Sequence, residues 1–180
     1  MKKKKQIILG VTASIAAYKA CDLVTSLKKD KYEVTCVMTK DAGYFITPLT
    51  LETLSGNKAY AGMFEPPKER EVAHITLAQK ADLIAICPAT ADIIAKLAAG
   101  IADDLLTCTV ISTKAPVLVA PAMNDLMYKN SITQANIQKL KKAGFKFIDP
   151  VYGRLACGYS GTGHLADIGQ IKSRIEKILK

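Results

Sequence analysis

The chain of 180 residues has no tryptophan, only two histidines, and no Cys-x-x-Cys pair among its five cysteines. Disulfide frameworks and zinc sites depend on closely spaced cysteines and histidines, so this pattern indicates reduced thiols and no metal site. No apolar run approaches the roughly 20 residues that cross a bilayer. The lysines at 2–5 are also not followed by the apolar segment of a secretion signal. We therefore expect a cytoplasmic protein without a membrane segment.

The formal net charge of +9 raises the question of nucleic-acid binding. Four of the lysines form the run at 2–5, and others lie singly on predicted helix faces. No basic patch is interleaved with aromatic residues, as a nucleic-acid surface would require. The charge therefore favours a solvated, lysine-rich surface over nucleic-acid binding, and it remains compatible with a small anionic ligand.

Five short apolar runs alternate with segments of helical periodicity. Near-continuous apolar strands separated by amphipathic helices are typical of a parallel sheet covered on both faces. The length and the 49% apolar content suit one core rather than two. We predict a single three-layer α/β/α domain over residues 1–180, doubly wound with a mostly parallel sheet, whose strands are Gln6–Thr12, Tyr32–Thr39, Ala81–Pro88, Ala115–Ala120 and Phe145–Ile148.

Two segments do not follow this alternation. Residues 57–72 contain Pro66-Pro67 and a dense run of charges, and residues 152–168 are rich in glycine. We predict loops for both. Loops of this length in a compact domain are usually lids or binding loops, with disorder as the alternative.

Polar residues follow several of the predicted strands, at the edge where open α/β sheets bind ligands. The loop after the first strand, Gly10–Ile15, lacks the three spaced glycines of a dinucleotide site, so a monophosphate fits better than NAD. Ser14 would contact this phosphate or simply cap the next helix. Thr90 and Asp92 after the third strand would either cap the helix that follows or hydrogen-bond a planar polar ring. Asn124 follows the fourth strand.

The glycine-rich segment carries one thiol, Cys157, in the run Gly153-Arg-Leu-Ala-Cys157-Gly158. A reactive group on a loop combined with a polar anchor on a rigid scaffold is a common arrangement in small-molecule enzymes. Asn124 and Cys157 are therefore the main candidate functional residues. The other four cysteines lie mostly in apolar contexts and are predicted core residues.

The chain resembles the flavin-dependent cysteine decarboxylases over nearly all of its length. The motifs that carry the resemblance are Gly10-Val-Thr-Ala-Ser-Ile-Ala-Ala-Tyr-Lys19, His74, Pro88-Ala-Thr-Ala-Asp92, Pro121-Ala-Met-Asn-Asp-Leu-Met127 and Arg154-Leu-Ala-Cys157-Gly158. The resemblance implies a Rossmann- or flavodoxin-like flavoprotein. It also implies FMN contacts from Ala13, Ser14, Ile15, Thr39, Thr90, Ala91, Asp92, Ile93 and Ala122.

By the same resemblance, the expected reaction is FMN-dependent decarboxylation of 4'-phospho-N-pantothenoylcysteine to 4'-phosphopantetheine in coenzyme A biosynthesis. Asn124 would hold the substrate carboxylate, His74 would be the base or orienting group for substrate oxidation, and Cys157 would donate the proton that completes the reduction. Met127 and Arg154 would contact the substrate, although a salt bridge within the loop is an equal alternative for Arg154.

The sequence departs from the family pattern at several positions. Asp92 stands where an asparagine is usual, Tyr128 replaces a tryptophan, and Tyr159 replaces an acidic residue after the Cys-Gly pair. The usual Arg-Met-Ala-Glu that follows reads His164-Leu-Ala-Asp167. These differences bear on loop contacts more than on the reaction.

The resemblance also implies partners. Relatives assemble as trimers, or as dodecamers built from trimers, with FMN at a subunit boundary, and the synthetase activity of bifunctional relatives would reside in a separate polypeptide. The alternatives are an oxidative peptidyl-cysteine decarboxylase, a flavin prenyltransferase, a non-catalytic regulatory flavoprotein and a flavodoxin-like electron carrier. Cys157 argues against the oxidative decarboxylase, and the Pro-Ala-Met-Asn signature with the cysteine segment argues against the prenyltransferase. His74 argues against the regulatory flavoprotein. An electron carrier would need neither Asn124 nor Cys157, and its usual acidity is opposite to this charge.

Overall fold

The computed structural model describes residues 4–63 and 72–180. Its centre is a five-stranded parallel sheet with the order β2-β1-β3-β4-β5. The strands are β1 (Gln6–Val11), β2 (Glu33–Met38), β3 (Leu83–Ala89), β4 (Val117–Pro121) and β5 (Lys146–Phe147). Each lies within two residues of its predicted bounds, so the predicted parallel sheet is confirmed. The direction of winding reverses between β1 and β3, where doubly wound folds bind ligands.

Eight helices are found in the described part of the chain, together with short 3-10 helices at Ile15–Tyr18 and Lys40–Tyr44. They are α1 (Lys19–Lys29), α2 (Pro48–Ser55), α3 (Ala73–Lys80), α4 (Ala91–Ala99), α5 (Leu105–Ser112), α6 (Asp125–Lys129), α7 (Ser131–Lys142) and α8 (Ile168–Leu179).

The sheet is covered on both faces, because successive strand residues point to opposite sides. Ile7 and Leu9 of β1 pack in one core with residues of α1 and α8, whereas Ile8 packs in a second core with residues of α4, α5 and α7. Every residue of β3 is buried. This arrangement confirms the predicted three-layer α/β/α architecture.

The segment 152–168 is not the irregular loop that we predicted. It contains an antiparallel hairpin of β6 (Val151–Arg154) and β7 (Ser160–His164), joined by a tip at 155–159. Gly161 and Gly163 allow close packing of the backbone, because β7 runs directly against the chain that follows β4. A Cβ on Gly163 would lie 2.1 Å from the carbonyl oxygen of Met123, and one on Gly161 would lie 2.7 Å from the side chain of Asp125.

The segment 57–72 is only partly described, because residues 64–71 lie outside the described ranges. Within the described part, Tyr60 joins the edge of the sheet. Its N–H donates to the carbonyl of Cys36 at 2.9 Å, and its carbonyl accepts from the N–H of Met38 at 2.7 Å. A predicted loop thus extends the sheet beyond β2.

Among residues 4–63 and 72–180, no helix has both the length and the apolar character needed to span a bilayer.

Candidate active site

A cavity of about 920 Å³ opens at the carboxyl edge of the sheet. Its volume lies near the upper end of the roughly 300–1,000 Å³ typical of small-molecule sites. The segments that follow β1, β2, β3 and β4 form its walls, and the β6–β7 hairpin contributes a further side. Twelve of the residues predicted from the sequence line it: Ala13, Ser14, Ile15, Thr39, Thr90, Ala91, Asp92, Ala122, Asn124, Met127, Arg154 and Cys157.

Two predicted site residues do not line the cavity of this chain. Ile93 is fully buried and belongs to the core behind α4. His74 lies in the first turn of α3, which packs against α5. The histidine that does line the cavity is His164 on β7, whose Nδ1 lies 3.0 Å from the carbonyl oxygen of Leu165.

Thr12 joins the loop after β1 to the loop after β3. Its buried hydroxyl donates to the carbonyl of Pro88 at 2.8 Å and accepts from the N–H of Thr90 at 3.0 Å. This pair of bonds holds the loop after β1 beside the loop after β3, on the two sides of the switch point. The adjoining cavity walls are therefore fixed relative to each other.

Ser14 and Thr90 both cap helices. The Ser14 hydroxyl accepts from the N–H of Ala16, and the Thr90 hydroxyl accepts from the N–H of Ile93, each at 3.3 Å. Both residues therefore cap helices, and their contact with a ligand stays a prediction. Because a hydroxyl can donate while it accepts, both O–H groups are still able to donate to a ligand.

Thr39 differs from these two residues. Its hydroxyl oxygen is buried and has no hydrogen-bond partner among the described residues, although Thr39 lines the cavity. Buried polar atoms in native proteins are almost always paired, and an exception calls for an explanation. A ligand atom in the cavity is such an explanation.

The cavity is lined by both cations and carboxylates. Lys96 is paired with Asp103 at 3.0 Å and with Asp92 at 3.7 Å. Its hydrogen bond to Asp103, opposed by partial burial, raises the pKa of Lys96. Three further cations line the cavity without an ion pair within residues 4–63 and 72–180: Lys19, Lys40 and Arg154. These unpaired cations favour an anionic ligand.

Asn124 connects the sheet edge to the hairpin. It caps α6, because its Oδ1 accepts from the N–H of Leu126 at 2.9 Å. This bond turns the amide nitrogen towards the hairpin tip, where Nδ2 donates to Sγ of Cys157 at 3.3 Å and to the hydroxyl oxygen of Tyr159 at 2.8 Å. The two residues singled out from the sequence are therefore in direct contact.

Tyr159 and Asp125 complete this network, and sequence reasoning missed both roles. The Tyr159 hydroxyl donates to Oδ1 of Asp125 at 3.0 Å, and Oδ2 of the same carboxylate accepts from Lys129 at 3.0 Å. Tyr159 and Asp125 are 34 positions apart, so no local pattern could have paired them.

The network also shifts the pKa values of its members. The hydrogen bonds from Lys129 and then from Tyr159 lower the pKa of Asp125. The hydrogen bond from Asn124 lowers the pKa of Tyr159, but the bond to Asp125 and partial burial outweigh it, and the pKa of Tyr159 is raised. A neutral phenol therefore faces an ionised carboxylate at neutral pH.

The remaining cysteines are chemically distinct from Cys157, which is exposed. Cys36 and Cys87 are buried, and burial raises the pKa of each thiol to about 12. Cys21 and Cys108 are half-buried, and burial raises the pKa of both as well. These four thiols are poor candidates for proton transfer at neutral pH. The sequence predicts all four as core residues, and this is confirmed for Cys36 and Cys87 but not for the half-buried Cys21 and Cys108.

The Flavoprotein family model matches residues 1–180. The bifunctional coenzyme A biosynthesis protein CoaBC of Vibrio vulnificus is 46% identical over 176 residues, which cover 98% of this chain and 44% of that protein. The chain therefore spans less than half the length of this relative. A probable phosphopantothenoylcysteine decarboxylase of Streptococcus mutans is 46% identical over 177 residues, which cover 97% of this chain and 99% of that protein.

Solved structures of two decarboxylases share the fold. A PPC decarboxylase mutant complexed with pantothenoylaminoethenethiol superposes with a TM-score of 0.87 at 31% identity, covering 97% of this chain and 98% of that one. The FMN-dependent cysteine decarboxylase SpaF superposes with a TM-score of 0.84 at 29% identity, covering 98% of each chain. The full-length family match, the relatives and the shared fold agree, and the chain belongs to the Flavoprotein family.

Proposed function

We propose that this protein is an FMN-dependent carboxy-lyase that converts 4'-phospho-N-pantothenoylcysteine to 4'-phosphopantetheine in coenzyme A biosynthesis. The contact between the Asn124 amide and the Cys157 thiol supports this proposal, because an amide suited to bind a carboxylate lies 3.3 Å from a thiol suited to donate a proton, in one cavity. The relatives described above, one of them matched over nearly its full length, support the same reaction.

The cavity suits FMN in several respects. The unpartnered hydroxyl of Thr39 would be satisfied by a ligand atom, and the hydroxyls of Ser14 and Thr90 are free to donate. Lys19 and Lys40 supply positive charge for a phosphate. Ala122 and Met123 provide a less polar wall for a planar ring. We therefore assign these residues to the FMN site.

The carbon that loses CO2 bears only nitrogen and an alkyl group, so the substrate has no electron sink of its own. Bound FMN would supply one by reversibly accepting two electrons from the substrate. Asn124 would orient the carboxylate with a neutral amide, which holds it without the strong ion pair that would stabilise the ground state. Cys157 would give a proton to the reduced product from the hairpin tip, and Arg154 would face the phosphate or pantothenoyl end of the substrate.

A second copy of the chain would complete the site. His74 lies on α3, outside the cavity of its own chain, while Ile15 and Tyr18 leave 60% and 57% of their surfaces exposed at the cavity wall. Large apolar side chains exposed beside a ligand site are typical of an interface. We expect a homo-oligomer, a trimer or a dodecamer of trimers, in which a neighbouring His74 reaches the substrate.

The decisive assay mixes FMN-loaded protein with phosphopantothenoylcysteine without oxygen, measures CO2 and identifies the product by mass. One CO2 per phosphopantetheine is the expected result. Release of CO2 with a product two hydrogen atoms lighter would identify an oxidative decarboxylase instead. A folded, flavin-loaded protein without turnover would contradict the proposal.

Subunit complementation tests the shared site. His74→Asn and Cys157→Ser should each lack full activity alone. If His74 and Cys157 of one site come from different copies, mixed oligomers contain some sites in which both residues are intact. Dissociating and reassembling the two variants together should then restore part of the activity. No recovery in oligomers shown by mass to be mixed would place both residues in one subunit.

Two further expectations stay predictions: a cytoplasmic location and a synthetase partner.

A further inference from the structure

The hydrogen bonds around Asn124 run in one direction. Lys129 donates to Asp125, the Tyr159 hydroxyl also donates to Asp125, and the Asn124 amide donates to Tyr159 and to Cys157. Asp125 is an acceptor because it is ionised, so Tyr159 must use its only proton towards Asp125. The Tyr159 oxygen is then left as an acceptor for Asn124.

This direction determines how the amide of Asn124 is turned. Its Oδ1 accepts from the N–H of Leu126 at 2.9 Å, and one N–H is directed to Tyr159 at 2.8 Å. The second N–H is directed to Cys157, on the cavity side. A flipped amide would place an NH2 group against the Leu126 N–H and a carbonyl oxygen against a phenol oxygen whose proton is already used.

Two further contacts hold the hairpin tip in place. The carbonyl of Tyr159 accepts from the N–H of Leu155 at 2.8 Å, which closes the turn that carries Cys157. Gly161 lies against Asp125 so closely that a Cβ would come within 2.7 Å of its side chain. The Tyr159 side chain thus anchors the tip to the start of α6 at one point.

We propose that Tyr159 is a positioning residue for the decarboxylation: anchored on Asp125, its hydroxyl fixes the Asn124 amide and the Cys157 thiol in their working positions. The inference rests on the proposed function, since it assigns Tyr159 a role in the same site. Tyr159 does not line the cavity, so it acts through Asn124 and Cys157 rather than on the substrate.

The test compares Tyr159→Phe with Tyr152→Phe. Tyr152 lies on β6 of the same hairpin, is 72% exposed and does not line the cavity. Both variants lose one phenol hydroxyl, but only Tyr159→Phe removes the acceptor of Asn124. Loss of one such hydrogen bond should lower kcat about tenfold. FMN affinity should stay unchanged, and a larger share of the product should remain in the unreduced, enethiol form.

A readout independent of turnover separates this inference from the proposed function. The rate of Cys157 alkylation by iodoacetamide, followed by mass spectrometry, should rise severalfold in Tyr159→Phe and stay unchanged in Tyr152→Phe. A wild-type protein without decarboxylase activity but with this alkylation difference would overturn the proposed function, while the hold of Tyr159 on the Asn124 amide and the Cys157 thiol would stand. Equal alkylation rates and equal product ratios in the two variants and the wild type would overturn the role of Tyr159.

Discussion

Nδ2 of Asn124 donates a hydrogen bond to Sγ of Cys157 across 3.3 Å. The other amide hydrogen is engaged by Tyr159, so a substrate carboxylate bound to Asn124 must take the N–H that now faces the thiol. The carboxylate and the thiol would therefore use the same donor in turn. In the proposed reaction the thiol would return to Asn124 only after CO2 has left, which is when the reduced product would need a proton.

Cys157→Ser tests the second half of this sequence. A serine hydroxyl can still accept from Asn124, but it is a much weaker acid than a thiol and donates a proton poorly. We expect CO2 release to continue while the saturated product falls about 100-fold and the enethiol accumulates. Mass spectrometry of the products measures the ratio.

Cys108→Ser is the matched control, because Cys108 is half-buried and its thiol donates to the carbonyl of Ala102 outside the cavity. It should give the wild-type product ratio. Normal saturated product from Cys157→Ser would remove Cys157 from the reaction.

Asn124→Asp tests the carboxylate anchor. Aspartate still caps α6, so the fold should persist. The new carboxylate would repel the substrate carboxylate, and like charges in contact cost several kcal/mol. We expect decarboxylation to fall by about 100-fold or more, while FMN titration gives an unchanged affinity.

Asn130→Asp provides the control for this change. Asn130 caps α7 in the same way, with its Oδ1 2.9 Å from the N–H of Ile132, and it does not line the cavity. It should retain wild-type turnover. Loss of flavin from Asn124→Asp would instead give Asn124 a structural role.

Thr39→Val separates cofactor binding from stability. Valine keeps the shape of threonine and removes a buried hydroxyl that has no partner in the described structure. The free energy of unfolding without FMN should therefore stay equal or rise by about 1 kcal/mol, whereas FMN affinity should fall about tenfold. Chemical denaturation and flavin fluorescence measure the two effects.

Thr12→Val should lower the free energy of unfolding, in contrast to Thr39→Val. The Thr12 hydroxyl makes a buried hydrogen bond to Pro88 and a partly buried one from Thr90. Its removal should destabilise the protein by about 1–3 kcal/mol. If Thr39→Val destabilises the flavin-free protein as much as Thr12→Val does, the Thr39 hydroxyl is not reserved for a ligand.

The sheet and its ligand edge could be predicted from the sequence, because they follow from local patterns. Buried parallel strands such as β3 are continuous apolar runs, and the residues after them meet at one edge whatever the details of packing. For this reason the sequence alone predicts Ser14, Thr90 and Asn124 at one edge, and all three line one cavity.

The rest of the site depends on contacts between distant segments. The bond between Tyr159 and Asp125 joins positions 34 apart, and neither residue stands out by type. The positions of the two histidines also depend on the folded structure. His74 lies outside the cavity of its own chain, and His164 lies in the cavity wall. A pattern along the chain contains no information on which of them reaches the site.

Gly163→Ala tests why the glycine-rich segment forms a hairpin. The N–H of Met123 donates to the carbonyl of Gly163 at 3.0 Å, and a Cβ at Gly163 would lie 2.1 Å from the Met123 carbonyl oxygen. Because that oxygen belongs to the backbone beside Asn124, the clash can be relieved only by moving β7 or the chain after β4. We expect a loss of about 1–3 kcal/mol in the free energy of unfolding.

The matching variant is Gly153→Ala on the partner strand β6, where a new Cβ would meet its nearest neighbour, His164, at 3.5 Å, an ordinary contact. Urea denaturation should show little change for this variant. Because the displaced hairpin carries Cys157, Gly163→Ala should also lower turnover more than it lowers FMN affinity. Equal stability of the two variants would mean that β7 does not need glycine for its close approach to the chain after β4.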